Sequence, residues 1–332
     1  METGTAGRLI FALSFNKSRL ESTFFGQPIK HALVSYYYLR RSTVHSTQVA
    51  LKVLKRIRKQ VKTLFIDSGV FTLKVKYMGV SVAGKLGSEP QDKLAESNAK
   101  IREEHLPVFA RFALGYSQWL RKNEDLYDWA FDLDVDQFLG IKTADVFYRT
   151  LCASVKNPDK IIRVWHASRK FDDWVEWCES GRYKYLAIEG GMSHGRNIDF
   201  YRRFVEKAHK HRVKVHVLAA TDPSLMQNVP FDSCDSSSWM IGSRFGQVMT
   251  PFAMVSFGHT KSPASGWNLL SGRQKKNILE FWKERGVDPD LDKMQTSWVN
   301  RELANIQYYL WLDRPFDGSA ADRTSFLSRV GL

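Results

Sequence analysis

Five short polar clusters punctuate the middle of this 332-residue chain: Asp67-Ser68-Gly69, Asp132-Leu133-Asp134, His166-Ala167-Ser168, Glu189-Gly190-Gly191 and Ser233-Cys234-Asp235-Ser236-Ser237-Ser238. Each follows a short apolar run. One aspartate in such a place can simply cap the helix that comes next. Several carboxylates converging on one place are costly unless donors, solvent or a ligand compensate them. A set of this kind suits glycosidic-bond chemistry, in which one carboxylate attacks the anomeric carbon and a second shuttles the proton. A metallohydrolase would want histidine pairs at ligand spacing near these clusters. His209-Lys210-His211 falls at the end of a helical pattern and His166 stands alone, so neither a catalytic metal nor a cofactor is expected.

The elements that must position these residues alternate along the chain. Strand candidates are Leu9–Phe15, Thr63–Asp67, Trp129–Asp134, Ile161–Trp165, Tyr185–Ile188, Lys214–Leu218 and Phe245–Met249, with a short one leading into Asp235. Helical patterns fall between them at Thr143–Ser154, Phe171–Ser180, Asp199–His211 and Leu269–Gly286. This alternation predicts an α/β fold, a (β/α)₈ TIM-type barrel spanning the whole chain as one domain. A doubly wound open sheet is the competitor, weakened by the lack of a G-x-G-x-x-G after an early strand. Residues 70–127 form a helical insertion between early strands, including a long helix from Gln91 to Lys122 that Pro107 should kink or break. Residues 268–332 form a C-terminal helical extension with a helix from Lys293 to Leu312 packed on the barrel. In a parallel barrel every strand end named above opens on one face. Asp132 and Asp134, two apart, should point to the same side of their strand.

The composition is that of a globular protein, 43% hydrophobic and 25% charged, with three cysteines and no C-x-x-C pair. No run approaches the length of a membrane span, and Leu9–Phe15 is too short for a secretory signal, so an intracellular, cytoplasmic protein is expected. The net charge is +14, of which residues 1–62 carry +10. The segment ALKVLKRIRKQVK, residues 50–62, reads as a helix with Val53, Leu54, Ile57 and Val61 on one face. Lys52, Lys55, Arg56, Arg58, Lys59 and Lys62 cover the rest, a surface that attracts polyanions such as a nucleic acid backbone, or that is merely solvated.

Taken in order, these segments resemble the tRNA-guanine transglycosylase superfamily. Phe65-Ile66-Asp67-Ser68-Gly69-Val70-Phe71 is similar to its T-D-S-G-G-F segment, Phe131-Asp132-Leu133-Asp134 to its F-D-E strand end, and Val164-Trp165-His166 stands where it carries V-Q-G. Tyr185 to Met192 resembles its Y-A-I-G-G-L, and Phe231 to Trp239 stands where it places an aspartate nucleophile. The D-S-G-x-F start, the lone histidine and the D-S-x-S-W end look closer still to the phage branch, which inserts 7-deazaguanines into DNA. The resemblance covers Phe65 to Trp239, about half the chain.

The resemblance implies a base-exchange enzyme. Asp235 would attack C1′ of a deoxyguanosine and hold a glycosyl-aspartate, with Asp232 the alternative nucleophile. Asp67, followed by Ser68 and Gly69 in the pocket wall, would be the general acid/base. Phe71 would stack on the base, and Asp132 or Asp134 would accept hydrogen bonds from its N–H groups. Gly190 and Gly191 would offer backbone donors, and His166 would line the pocket. The partners implied are DNA, presenting a flipped guanine, and a free 7-deazaguanine base. The zinc cluster of the tRNA enzymes, C-x-C-x-x-C, is absent, which favours DNA over tRNA. A tRNA enzyme and a non-catalytic nucleic-acid-binding barrel are the alternatives.

Overall fold

The computed structural model describes residues 8–40, 47–78, 91–190, 197–257 and 266–313. Eight parallel strands close into a barrel in chain order: β1 (Arg8–Leu13), β2 (His31–Ser35), β3 (Thr63–Asp67), β4 (Trp129–Phe131), β5 (Ile161–Trp165), β6 (Tyr185–Ile188), β7 (Lys214–Val217) and β8 (Ser233–Ser236). Closure comes from β1 pairing β8, with Ile10 beside Asp235 and Phe11 beside Ser236. Helices carry the chain back between strands, among them Thr47–Gln60, Gln91–Lys122, Ile141–Ser154, Phe171–Glu179 and Ile198–Lys210. The chain therefore has the (β/α)₈ TIM-type fold.

Alternation along each strand sorts side chains into two layers. Ile10, Leu33, Phe65, Phe131, Ile162, Val164, Tyr185 and Ala187 fill the barrel interior. The alternate residues, such as Phe11, Val34, Ile66, Leu186, Val215 and Cys234, join the larger apolar layer between strands and helices. Among the described residues no helix is long and apolar enough to cross a membrane.

Four sequence expectations change. The second barrel strand is His31–Ser35, whose five residues are all buried and so show no alternation to betray them. The strand expected at Phe245–Met249 lies outside the barrel: Gln247–Met249 pairs antiparallel with Met254–Ser256, in a hairpin whose turn is held by Phe252 and Ala253 amides donating to Thr250 Oγ1. Helix Gln91–Lys122 runs unbroken through Pro107, because the part beyond it buries Phe109, Phe112, Tyr116 and Leu120 in one stripe, and that packing outweighs one lost hydrogen bond.

The helix expected from Lys293 to Leu312 is two, Leu291–Thr296 and Trp298–Leu312, divided at Ser297, whose extended backbone lets its hydroxyl cap the second. This last helix locks the barrel seam. Asn305 donates to the Trp239 carbonyl and accepts the Met249 amide, Glu302 pairs with Arg19, and Asp313, just past the helix, accepts the Leu9 amide at 2.6 Å.

Candidate active site at the carboxyl end of the barrel

Asp67 ends β3 on the interior side, two residues after Phe65, and Asp235 lies on the interior side of β8, two after Ser233. Both therefore stand at the carboxyl-terminal mouth. The turn after Asp67 admits only glycine at its third residue. Gly69 has φ +77°, and a Cβ there would lie 2.4 Å from Ser35 Oγ and Tyr37 Cβ. Behind this turn the buried Tyr116 hydroxyl donates to the Phe131 carbonyl at 2.8 Å and lies 3.3 Å from that of Ile66, tying the ends of β3 and β4 together.

Asp235 is held from two sides. Its Oδ1 accepts the Ala219 amide at 2.8 Å and lies 3.2 Å from His216 Nε2. Ala219 adopts φ +50°, a left-handed conformation that costs a non-glycine residue about 1 kcal/mol, and in doing so aims its N–H at the carboxylate. His216, fully buried inside the barrel, sits between the Phe65 and Phe131 rings. Its Nδ1 is 2.6 Å from Ser233 Oγ, which is bonded in turn to the Tyr185 hydroxyl. With a neutral imidazole the chain runs one way: Tyr185 donates to Ser233, Ser233 to Nδ1, and Nε2–H to Asp235. Asp232 lies at the start of β8, where its Oδ2 accepts the Val215 amide at 2.8 Å and sits 2.8 Å from His209 Nε2. Of the two candidate nucleophiles, only Asp235 is at the mouth.

Asp67 titrates unusually high, at about 7, because burial penalises its ionised form and the Asp134 charge adds to that, the Gly69 amide offsetting part. Asp134 is also raised by burial, with His166 opposing. Ser68 Oγ lies 3.5 Å from Asp134 Oδ1. The strand expected to run to Asp134 stops at Phe131, so the period of two does not reach Asp132 and Asp134. Asp132 accepts the Val164 amide at 3.2 Å, and burial pushes its carboxyl up to about 7, with Arg163 and His166 opposing and Asp134 and Asp136 adding to the rise. Asp134 is the member of the pair that borders Asp67.

His166 belongs to a buried ionic network. Its Nδ1 is 2.9 Å from Asp136 Oδ1, while Asp136 Oδ2 accepts Ser168 Oγ and Arg169 Nε, each at 3.0 Å. Burial alone would lower the histidine, but the Asp136 hydrogen bond and charge raise it to about 9; the same partners hold Asp136 below the ordinary aspartate range despite its own burial. The sign follows. A raised histidine adds stability that is complete below its ordinary value of 6.5 and drains away as pH rises through about 9. Asp136→Asn is therefore expected to cost about 3–5 kcal/mol at pH 6, a gap that narrows toward pH 10. Denaturant melts of both proteins across that range check it.

Gly190, beyond β6, closes the wall: a Cβ there would lie 1.7 Å from the Leu218 carbonyl oxygen. Its neighbour Glu189 accepts the Ala167 amide at 2.8 Å and Gln137 Nε2 at 2.6 Å, joining three mouth loops. Gly191 lies outside the described residues. Phe71 is exposed, 67% accessible, on the helix Val70–Met78 that leaves β3.

The basic helix Thr47–Gln60 runs antiparallel to the strands, so its start is nearer the mouth and Lys59 and Lys62 lie toward the opposite end. Lys52, Lys55, Lys59 and Lys62 are exposed. Arg56 pairs with Glu21 and lies 3.8 Å over the Phe25 ring, and Arg58 bonds Asp128 at 3.2 Å, so these two are engaged within the protein.

Three groups at the mouth escaped the sequence reading: His216, the Ala219 amide, and Lys74, a nearly buried lysine on the Val70–Met78 helix. The alternation Lys214-Val215-His216-Val217 was the available signal for His216, since Val215 and Val217 take the helix-facing layer and leave His216 the other side of the strand. No family model matches the sequence, and none of the curated proteins matches it significantly.

Proposed function

We propose that this barrel is a guanine transglycosylase that exchanges guanine in DNA for a 7-deazaguanine. One observation carries the reading: a carboxylate, Asp235, pinned by an amide and an imidazole, shares the mouth with a second carboxyl, Asp67, poised near neutrality. Two carboxyl groups in such different environments divide into a nucleophile and a proton carrier. An Asp235 oxygen attacks C1′ of the flipped nucleotide as the C1′–N9 bond breaks, and protonated Asp67 gives its proton to the departing guanine. The incoming base then loses its N9 proton to the Asp67 carboxylate, and N9 displaces Asp235 from C1′. Two inversions give net retention, and Asp67 ends protonated as it began.

Asp134, with Ser68 beside it, accepts from the N–H groups of the base; Phe71, exposed at the rim, stacks on it. His166 acts here through the charge it sets against Asp134, its Nε2 3.8 Å from Oδ2. DNA is favoured as the polymer by the motif resemblance and by the exposed lysines, of which Lys52 lies on the mouth-side half of its helix.

The test is transfer of labelled guanine, or of 7-cyano-7-deazaguanine followed by mass, into duplex DNA and into tRNA. Label in DNA is expected. Label in tRNA alone would replace the polymer in this reading, and none in either would leave a nucleic-acid-binding barrel without exchange activity.

A further inference from the structure

Lys74 is 9% accessible, yet among the described residues its ammonium makes no hydrogen bond and no ion pair; it lies 5.1 Å over the face of the Phe138 ring. Other buried charges have close ionic partners: Arg163 and Arg169 on Asp145, His166 on Asp136, Glu302 on Arg19. Its aliphatic stem is enclosed while the ammonium keeps its donors free, so an external acceptor that reaches it finds them unspent. Burial lowers its titration, and Asp134 is the charge that holds it up, so the two groups act on each other at the mouth. A cation–π contact orients the chain without satisfying its donors.

We infer that Lys74 reads the O6 atom of the exchanged base, making with Asp134 a donor–acceptor pair that selects guanine. The inference rests on the base-exchange reading. Guanine presents an acceptor, O6, directly beside two donors, N1–H and the 2-amino group. A carboxylate for the donors and an ammonium for the acceptor match that edge. Adenine reverses it, setting its amino group against the ammonium and its N1 lone pair against the carboxylate, so it is rejected by repulsion as well as by lost bonds. A 7-deazaguanine differs only on the five-membered ring, so one pair serves both the leaving and the entering base.

The test is equilibrium binding of free guanine and 6-thioguanine, which keeps N1–H and the 2-amino group but replaces O6 by a weaker acceptor. The parent should prefer guanine by about 10–100-fold, the worth of one hydrogen bond to a charged group. Lys74→Met should shrink that preference to about threefold or less, because sulfur and oxygen then face the same methyl group. The variant should melt no lower than the parent, since it loses a charge that makes no hydrogen bond or ion pair among the described residues and keeps the volume. An unchanged preference in Lys74→Met overturns the role of Lys74 and leaves base exchange standing. A parent that binds neither purine overturns both.

Discussion

Asp235→Asn is expected to lower base exchange by roughly 10⁴-fold or more while DNA affinity stays within about threefold. The amide is isosteric and still offers an oxygen to the Ala219 N–H, so the loop after β7 keeps its place. Its oxygen is too poor a nucleophile to hold C1′. The parent, mixed with DNA and no free base, should give a protein–DNA adduct that survives denaturation, and Asp235→Asn should give none. An adduct that persists in the variant would remove Asp235 from the chemistry.

His216 acts one step back, as a positioning residue. Its contact with Asp235 and the Tyr185–Ser233 chain behind it hold the carboxylate in one rotamer. His216→Gln should lower kcat about 10–100-fold with KM little changed, because a misplacement near 1 Å costs about that much. A merely structural role would instead lower stability and leave kcat per folded molecule intact.

The second large effect concerns Asp67. Its carboxyl sits at about 7, raised by burial and by Asp134. Exchange needs it protonated when guanine leaves and ionised when the new base arrives, so the rate should peak near neutrality. Asp67→Asn should lose about 10²–10⁴-fold and flatten the profile.

Stability should move the other way. A carboxyl raised in the folded state binds a proton that the unfolded chain has already released, so folding stability falls as pH rises from about 4 to about 7. The asparagine variant escapes that loss and should match the parent near pH 4 but melt higher at pH 8. Activity that falls while stability rises marks a group retained for chemistry. Thermal melts beside single-turnover rates across this pH range provide the check, and an asparagine variant less stable than the parent at pH 8 would show Asp67 to be a structural residue.

Much of this arrangement was legible in the order of residues. Apolar runs ending in Asp67, in Asp132-Leu133-Asp134 and in Glu189-Gly190 imply strands that finish in polar clusters, and parallel strands must finish together, so the mouth and its acidity followed from spacing. Alternation failed where burial was complete. His31–Ser35 has apolar cover on both faces and leaves no period to read. It failed again where a strand stopped early, at Phe131, so that the period of two does not carry on to Asp132 and Asp134.

The sequence by itself determined the barrel and the strand ends on which its carboxylates sit, because period, length and turn chemistry are local properties of the chain. Only the tertiary structure decided what each carboxylate is. Asp235 and Asp232 are three residues apart in one strand region, yet one meets His216 and the Ala219 amide at the mouth while the other meets His209 and Val215 at the opposite end. Asp67 and Asp136 are the same side chain by sequence, yet one is pushed up by burial beside a like charge and the other is held down by His166 and Arg169 despite its burial. The sign of such a shift depends on desolvation and on groups brought together from distant strands. Those distances exist only once the barrel has closed.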